Sequence, residues 1–269
     1  MKILLDVGAN TGQTARAALN NRYSFDRIVC FEPAPPCWTE IERIEDPRVE
    51  LCKFGLWNAN GQHTLYNPGS LSGSLFLDTT GIETPVDKIT IELQRASDWF
   101  GSNIFADDTV FMKLNCEGSE CDIVEDLLDS GRLQNVYSVM IDFDVRKIRS
   151  MRKRELVIRR KLRAAQCQNV AFSEDVMFGE SHEARICSWL DTVGAHENLS
   201  REELRQKYGP ILSRLSSRSG RLARLEEGLR RTAFSWLPSP LKSVVRYFMS
   251  KVRWSAGIIR NQRPRSERE

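Results

Sequence analysis

Residues 2–32 read KILLDVGANTGQTARAALNNRYSFDRIVCFE, and the fold is decided there. Lys2–Val7 is a short apolar run that ends in Asp6-Val7-Gly8. A helix-like stretch follows from Thr11 to Asn20, and Arg27–Phe31 is a second apolar run closed by Glu32-Pro33. Strand, glycine turn, helix, strand is the opening of an open α/β sheet, in which ligands bind beyond the carboxyl ends of the strands.

The alternation continues along the chain. Strands are expected at Val49–Phe54, His63–Tyr66, Ile89–Leu93, Thr109–Leu114, Val136–Ile141, Val170–Phe172 and Ala184–Trp189. Ala34-Pro35-Pro36 reads as a breaker, Asn67–Gly73 as a loop of turn formers, and Ser119–Ser130 as a helix stopped by Gly131. A basic helix is expected from Val145 to about Arg163. Near-continuous apolar strands mean burial on both faces, so the expected fold is α/β, with a mostly parallel, doubly wound, Rossmann-like sheet. The domain would span residues 1–199, followed by a basic helical extension over 200–269.

The 269 residues are 41% hydrophobic and 28% charged, a balance that excludes collagen, wholesale disorder and a small disulfide scaffold. No apolar run reaches the length of a membrane span, and Met1 leads into the first strand without a hydrophobic leader, which predicts a cytoplasmic protein. The seven cysteines show no zinc-type spacing and are expected to be reduced. The net charge of +3 hides an asymmetry: residues 1–145 carry −12, 146–163 carry +9, 164–199 carry −5 and 200–269 carry +11. A basic tail on an acidic body fits an anionic partner or a solvated helical face.

The turn after the first strand has Gly8-x-Asn10-x-Gly12, with Gln13 where a third glycine would complete a dinucleotide fingerprint, and no Gly-Lys-Ser/Thr follows. NAD and a P-loop are therefore disfavoured. Asp6, Gly8, Asn10 and Gly12, with Glu32 at the end of the second strand to accept two ribose hydroxyls, instead suit a cationic sulfonium cofactor, S-adenosyl-L-methionine. Asp6 would face an ammonium or order the turn; a lone glycine here would be a simple turn.

The ordered set Asp6–Gln13, Phe31-Glu32-Pro33, Gly55–Tyr66, the serine-rich Ser70–Leu75 and Phe111–Ile123 (FMKLNCEGSECDI) resembles the FkbM family of S-adenosylmethionine-dependent methyltransferases over about residues 1–195. The resemblance implies a class I methyltransferase fold and O-methylation of a hydroxyl, often on a sugar or polyketide. Asn115 stands where the family has an Asp, and is expected to position cofactor or substrate by hydrogen bonds. The family carries a segment ahead of the first strand, so a roof over the cofactor is expected from the C-terminal region, or else a more open pocket.

Methyl transfer needs an aligned acceptor oxygen and a group to take its proton. Glu117, Asp142 and Asp144 are the candidates, followed by His63 and Lys113. Glu117 has the alternative of capping the following helix, and Lys113 that of a structural ion pair. Asp142 and Asp144 should alternate, with only one facing the pocket. The three acids are hard oxygen donors, but without a spacing rule no metal is assigned. His182 and His196 receive no role.

In the tail, Leu204, Tyr208, Ile211, Leu215, Leu222, Leu225 and Leu229 follow a 4-3 spacing, interrupted by Gly209-Pro210 and Ser216–Gly220, which predicts short packed helices. Leu241–Trp254 forms a basic amphipathic stretch between tryptophans, suited to an anionic bilayer surface at the inner membrane face, to the body, or to a second subunit. The expected acceptor is a hydroxyl-bearing small molecule or a glycan, lipid-linked saccharides included. The rival readings are an RNA methyltransferase, disfavoured because no aromatic stacking platform accompanies the arginines, and a non-catalytic cofactor-binding scaffold.

Overall fold

The computed structural model describes residues 1–70, 72–80 and 86–232, with side chains to 217. In chain order the elements are β1 (Lys2–Val7), α1 (Gln13–Ala18), β2 (Arg27–Phe31), α2 (Pro35–Glu42), β3 (Val49–Cys52), β4 (Gly55–Trp57), β5 (Gly61–Tyr66), β6 (Lys88–Arg95) and α3 (Ala96–Asn103). There follow β7 (Thr109–Leu114), α4 (Glu120–Asp129), β8 (Ser138–Ile141), α5 (Arg154–Ala164), β9 (Val170–Phe172), α6 (Ser173–Val176), α7 (His182–Thr192) and α8 (Arg201–Thr232).

Six strands form one sheet in the order β3-β2-β1-β7-β8-β9, every pair parallel. The α/β reading with a parallel sheet therefore holds. Strands alternate their side chains between two cores: Ile3, Leu5 and Val7 enter one and Leu4 the other, while Val110, Met112 and Leu114 oppose Phe111. The strand order reverses direction between β1 and β7, which is where such sheets leave a crevice. A second sheet, β4-β6-β5, stands apart; β6 runs parallel to β4 and antiparallel to β5. It was not foreseen as a separate layer, because its strands alternate polar and apolar residues as any half-exposed strand does.

Four local expectations are corrected. Ala184–Trp189 is helix, inside α7: Ser181 caps it by accepting from the Ala184 amide, and Ile186, Trp189, Leu190 and Val193 bury one face at helical spacing. Pro35 and Pro36 begin α2 instead of breaking structure, since proline in a first helical turn costs no internal hydrogen bond. The basic segment is divided between a 3-10 turn (Asp144–Lys147) and α5. Thr80 takes the Lys147 carbonyl and Asp78 the Ser150 amide, so the backbone groups a continuous helix would pair are diverted. The tail begins with α8 as one helix carrying Pro210 within it.

The first stretch of α8 belongs to the core of the body. Leu204, Tyr208, Leu212 and Leu215 are buried beside Tyr137, Trp189 and Leu190, while Ile211, expected in the seam, is exposed. Two compact units divide at Ser219/Gly220. The side chains of Leu222, Leu225 and Leu229 and the whole Leu241–Trp254 stretch lie outside the described residues. Among the described residues no helix is long and apolar enough to cross a membrane, and all seven cysteines are free thiols.

Candidate functional site

A cavity of about 340 Å³ lies at the carboxyl ends of β1, β2, β7 and β8. Gly8, Asn10, Glu32, Asn115, Glu117, Asp142 and Asp144 all line it, although they come from four separate segments of the chain. Gly12 and Asp6 do not.

The turn after β1 is held from below. Gly8 has φ +82°, and a Cβ there would stand 1.9 Å from the Asn115 carbonyl oxygen, so the turns after β1 and β7 touch backbone to backbone. The Gly8 and Ala9 amides both donate to the Phe31 carbonyl. Gly12, at φ +78°, starts α1 against Ile41 and Ile44. Asp6 is fully buried under the turn, where Lys113 Nζ donates to its Oδ1 at 2.8 Å and to the Gly8 carbonyl at 3.0 Å. Of the two roles open to Asp6, ordering the turn is the one this geometry supplies.

Glu32 is buried at the end of β2. Its Oε2 accepts from the Asn10 amide at 2.7 Å and its Oε1 from the Ala34 amide at 2.9 Å. A carboxylate offers about four acceptor directions, so each oxygen keeps capacity toward the cavity it lines. Burial pushes its pKa up to about 7, with the two amide hydrogen bonds opposing. The wall beyond it is apolar: Ala34 and Cys37 pack with Leu65, Ile91 and Leu93 of the second sheet.

The acids after β7 and β8 form the opposite wall. Glu117, at φ +51°, holds Lys147 Nζ in both carboxylate oxygens at 2.9 Å, and the same ammonium meets Asp144 at 3.0 Å. Burial and then the charge of Asp144 push the Glu117 pKa up to about 8, and Lys147 opposes the shift. Glu117 does not cap α4, which has no side-chain cap; Glu120, its first residue, reaches back so that its Oε1 accepts from the Cys116 and Gly118 amides and braces the turn ahead of the helix. Asp142 accepts from Ser173 at 2.7 Å and from the Asn115 amide group at 3.3 Å. Its pKa is raised by burial and by Asp144. Asp142 and Asp144 both face the cavity, where only one was expected to: residues two apart lie on the same side of an extended chain, so the strand period does not separate them, and β8 in any case ends at Ile141 before the 3-10 segment.

Two lining residues carried no sequence signal. Lys147 was one cation in a basic run, and only the turn at Asp144 brings it back between two carboxylates. His182 reaches the cavity from the start of α7, within 3.4 Å of the Thr14 hydroxyl. Burial and then the charge of Lys113 lower its pKa, so it is neutral at physiological pH. Conversely, His63 lies against the Trp57 ring at 4.4 Å and is not part of the cavity lining.

Four carboxylates (Glu32, Glu117, Asp142, Asp144) and two ammonium groups (Lys113, Lys147) line the cavity, and Lys113 is neutralised by buried Asp6. Once Glu32 and Glu117 have lost their protons, at about pH 7 and about pH 8, the wall is net acidic, which favours a cationic ligand and disfavours a phosphorylated one. No family model, curated protein or solved structure matches the chain.

Proposed function

We propose that the chain is an S-adenosylmethionine-dependent O-methyltransferase acting on a hydroxyl of a glycan or other saccharide acceptor, lipid-linked ones included, as the resemblance to the FkbM family implies. The observation that carries the reading is the placement of Glu32. Its carboxylate is tied to the Asn10 amide of the glycine turn and lines a net-acidic cavity at the switch point of a parallel sheet.

The residues present fit the cofactor. Glu32 has acceptor capacity left for two vicinal ribose hydroxyls, the Gly8 turn has no side chain between backbone and cavity, and Ala34, Cys37 and Leu65 offer an apolar face for a purine. A sulfonium and an ammonium are the charges the acidic wall favours. When bound, the cofactor supplies an already activated methyl group.

What the chain itself must do is hold the acceptor oxygen and take its proton as the new C–O bond forms and the C–S bond breaks. Glu117 and Asp144, clamped by Lys147, and Asp142, oriented by Ser173, are the carboxylates in position to do so. Asn115 orients Asp142 through its amide and serves without a charge of its own.

Calorimetric titration with S-adenosylmethionine tests the reading. The parent should bind one equivalent, and Glu32→Ala should weaken binding by about 1.5–3 kcal/mol, the scale of a hydrogen bond to a charged group. Unaltered affinity in the variant would remove Glu32 from the site, and absence of binding by the parent would remove the cofactor.

The affinity should also depend on pH with a defined sign. Glu32 must be ionised to accept both hydroxyls, and its pKa is about 7, so binding should strengthen as pH rises from about 6 to about 8 and then level off. Glu32→Gln should flatten that profile. Catalysis should separate from binding: Glu117→Gln and Asp142→Asn lower turnover while cofactor affinity stays within a few fold. Turnover by the parent should climb through about pH 8 as Glu117 loses its proton. Unchanged turnover in both variants would leave alignment alone as the source of rate.

A further inference from the structure

The run of ten cations over residues 146–163 is not explained by the first cavity. Arg146, Lys147, Arg154, Arg159 and Lys161 are paired with carboxylates. Lys153, Arg160 and Arg163 are exposed, with no carboxylate partner among the described residues. Arg160 and Arg163 are three residues apart on α5 and share a face.

That face runs to a second cavity, also of about 340 Å³, between the C-terminal end of α5, the edge strand β9 and the stretch of α8 around Ser213 and Ser217. Its floor is apolar, made by Leu162, Val170 and Phe172. The polar groups at its walls are Arg159, Arg163, Gln166 and Gln168 with the α8 serines, and among the described residues no carboxylate lines it.

Arg159 is a buried part of this wall, with its guanidinium 3.5 Å from the Phe172 ring centroid. Its Nε donates to Glu155 at 2.8 Å and its Nη2 to Glu174 at 2.6 Å. Arg146 binds the same two carboxylates, so the four groups balance in charge. Arg163 therefore brings net positive charge to the cleft. The Nη1 of Arg159 is buried and has no hydrogen-bond partner, a donor deficit that structures seldom leave without a reason.

We propose that this cleft is a second ligand site, which takes an organic anion. Its phosphate or carboxylate is held by Arg163 and the side-chain amides of Gln166 and Gln168, and a short apolar portion lies on Leu162 and Phe172. The chemistry is opposite to that of the first cavity, whose wall is acidic, so the two sites select different ligands. A cationic rim over an apolar floor binds an amphiphilic anion better than either half of it, because the charge-assisted hydrogen bonds and the buried apolar area add. The site does not depend on the methyltransferase reading.

The test uses the full chain and four probes: hexyl phosphate, hexanoate, hexanol and inorganic phosphate, followed by calorimetry and by the side-chain amide resonances of Gln166 and Gln168. Hexyl phosphate or hexanoate should saturate one site and shift both amides, and hexanol and inorganic phosphate should bind at least about ten-fold more weakly, a difference of about 1.4 kcal/mol. Whichever of the two anions binds more tightly identifies the head group. Arg163→Glu, at an exposed position, should weaken that probe by about ten-fold or more, with the melting temperature and S-adenosylmethionine titration of the parent retained. Binding of equal strength in the parent and in Arg163→Glu would overturn the proposal. So would the absence of saturable binding by either anion, or shifts that leave Gln166 and Gln168 unmoved.

Discussion

Lys113→Met is expected to lower the unfolding free energy by about 3–5 kcal/mol, the cost of leaving a buried charge without its partner. The ammonium of Lys113 is almost fully buried and is the cation that meets Asp6, itself inaccessible to solvent, at 2.8 Å. Asp6 Oδ2 already has no hydrogen-bond partner, so the carboxylate has no second donor to fall back on. The Gly8 carbonyl would lose the same ammonium, and with it the tie that holds the glycine turn to β7. Denaturant unfolding should therefore show a lower midpoint with an unchanged slope. The double variant Asp6→Leu/Lys113→Met separates the cost of an orphaned charge from the worth of the pair. If the pair matters chiefly because each half is intolerable alone, the double variant should recover most of the loss. In that variant the turn would still be without its tie to Gly8, so stability should recover further than S-adenosylmethionine affinity. Lys113→Met as stable as the parent would show that water reaches Asp6.

The difference between Asp6 and Glu32 shows how much of the site was legible in residues alone. Both are acids at the ends of neighbouring strands, and both were placed at the cofactor. One is sealed beneath the turn and the other stands in the cavity wall. What separates them is the register of β1 against β7, which sets Asp6 beside Lys113, a pairing across 107 residues that no local pattern carries. The strands of the parallel sheet were legible because burial on both faces leaves a near-continuous apolar run, as in TVFMKL and RIVCF. Ala184–Trp189 was misread because six residues are too few to tell alternation from one face of a helix, and Val193, one turn later, completes the helical period. Lys147 and His182 were not legible at all. The first depends on where a helix fails to form, the second on a contact with α1 from the far end of the domain.

A chain that ends at Leu199 is expected not to fold. The composition shift there separates an acidic body from a basic tail in charge, but the core does not respect it. Leu204, Tyr208, Leu212 and Leu215 of α8 are buried against the face of the sheet that carries Phe111, Tyr137 and Met140. Burying each such side chain is worth about 1.5–3 kcal/mol, so losing four removes about 6–12 kcal/mol, as much as the whole stability of an ordinary domain. Specific fits go with them. Gly194 is at φ +79°, and a Cβ there would stand 2.4 Å from the Tyr208 ring, so the ring lies where only glycine leaves room. The buried Tyr137 hydroxyl would keep its bond to the Val193 carbonyl but lose the one to Leu204. By the same argument Leu204→Ala in the full chain should cost about 2–5 kcal/mol, the range for a leucine cavity in a packed core. A chain ending at Ser219 keeps all four residues and should melt cooperatively and bind S-adenosylmethionine. Comparing the two truncations by calorimetric melting therefore locates the end of the body. A cooperative transition for the shorter chain would show that α8 only leans on a core complete without it. Its absence, with the longer chain folded, would assign the first half of the basic extension to the fold and leave any attachment role to the residues after it.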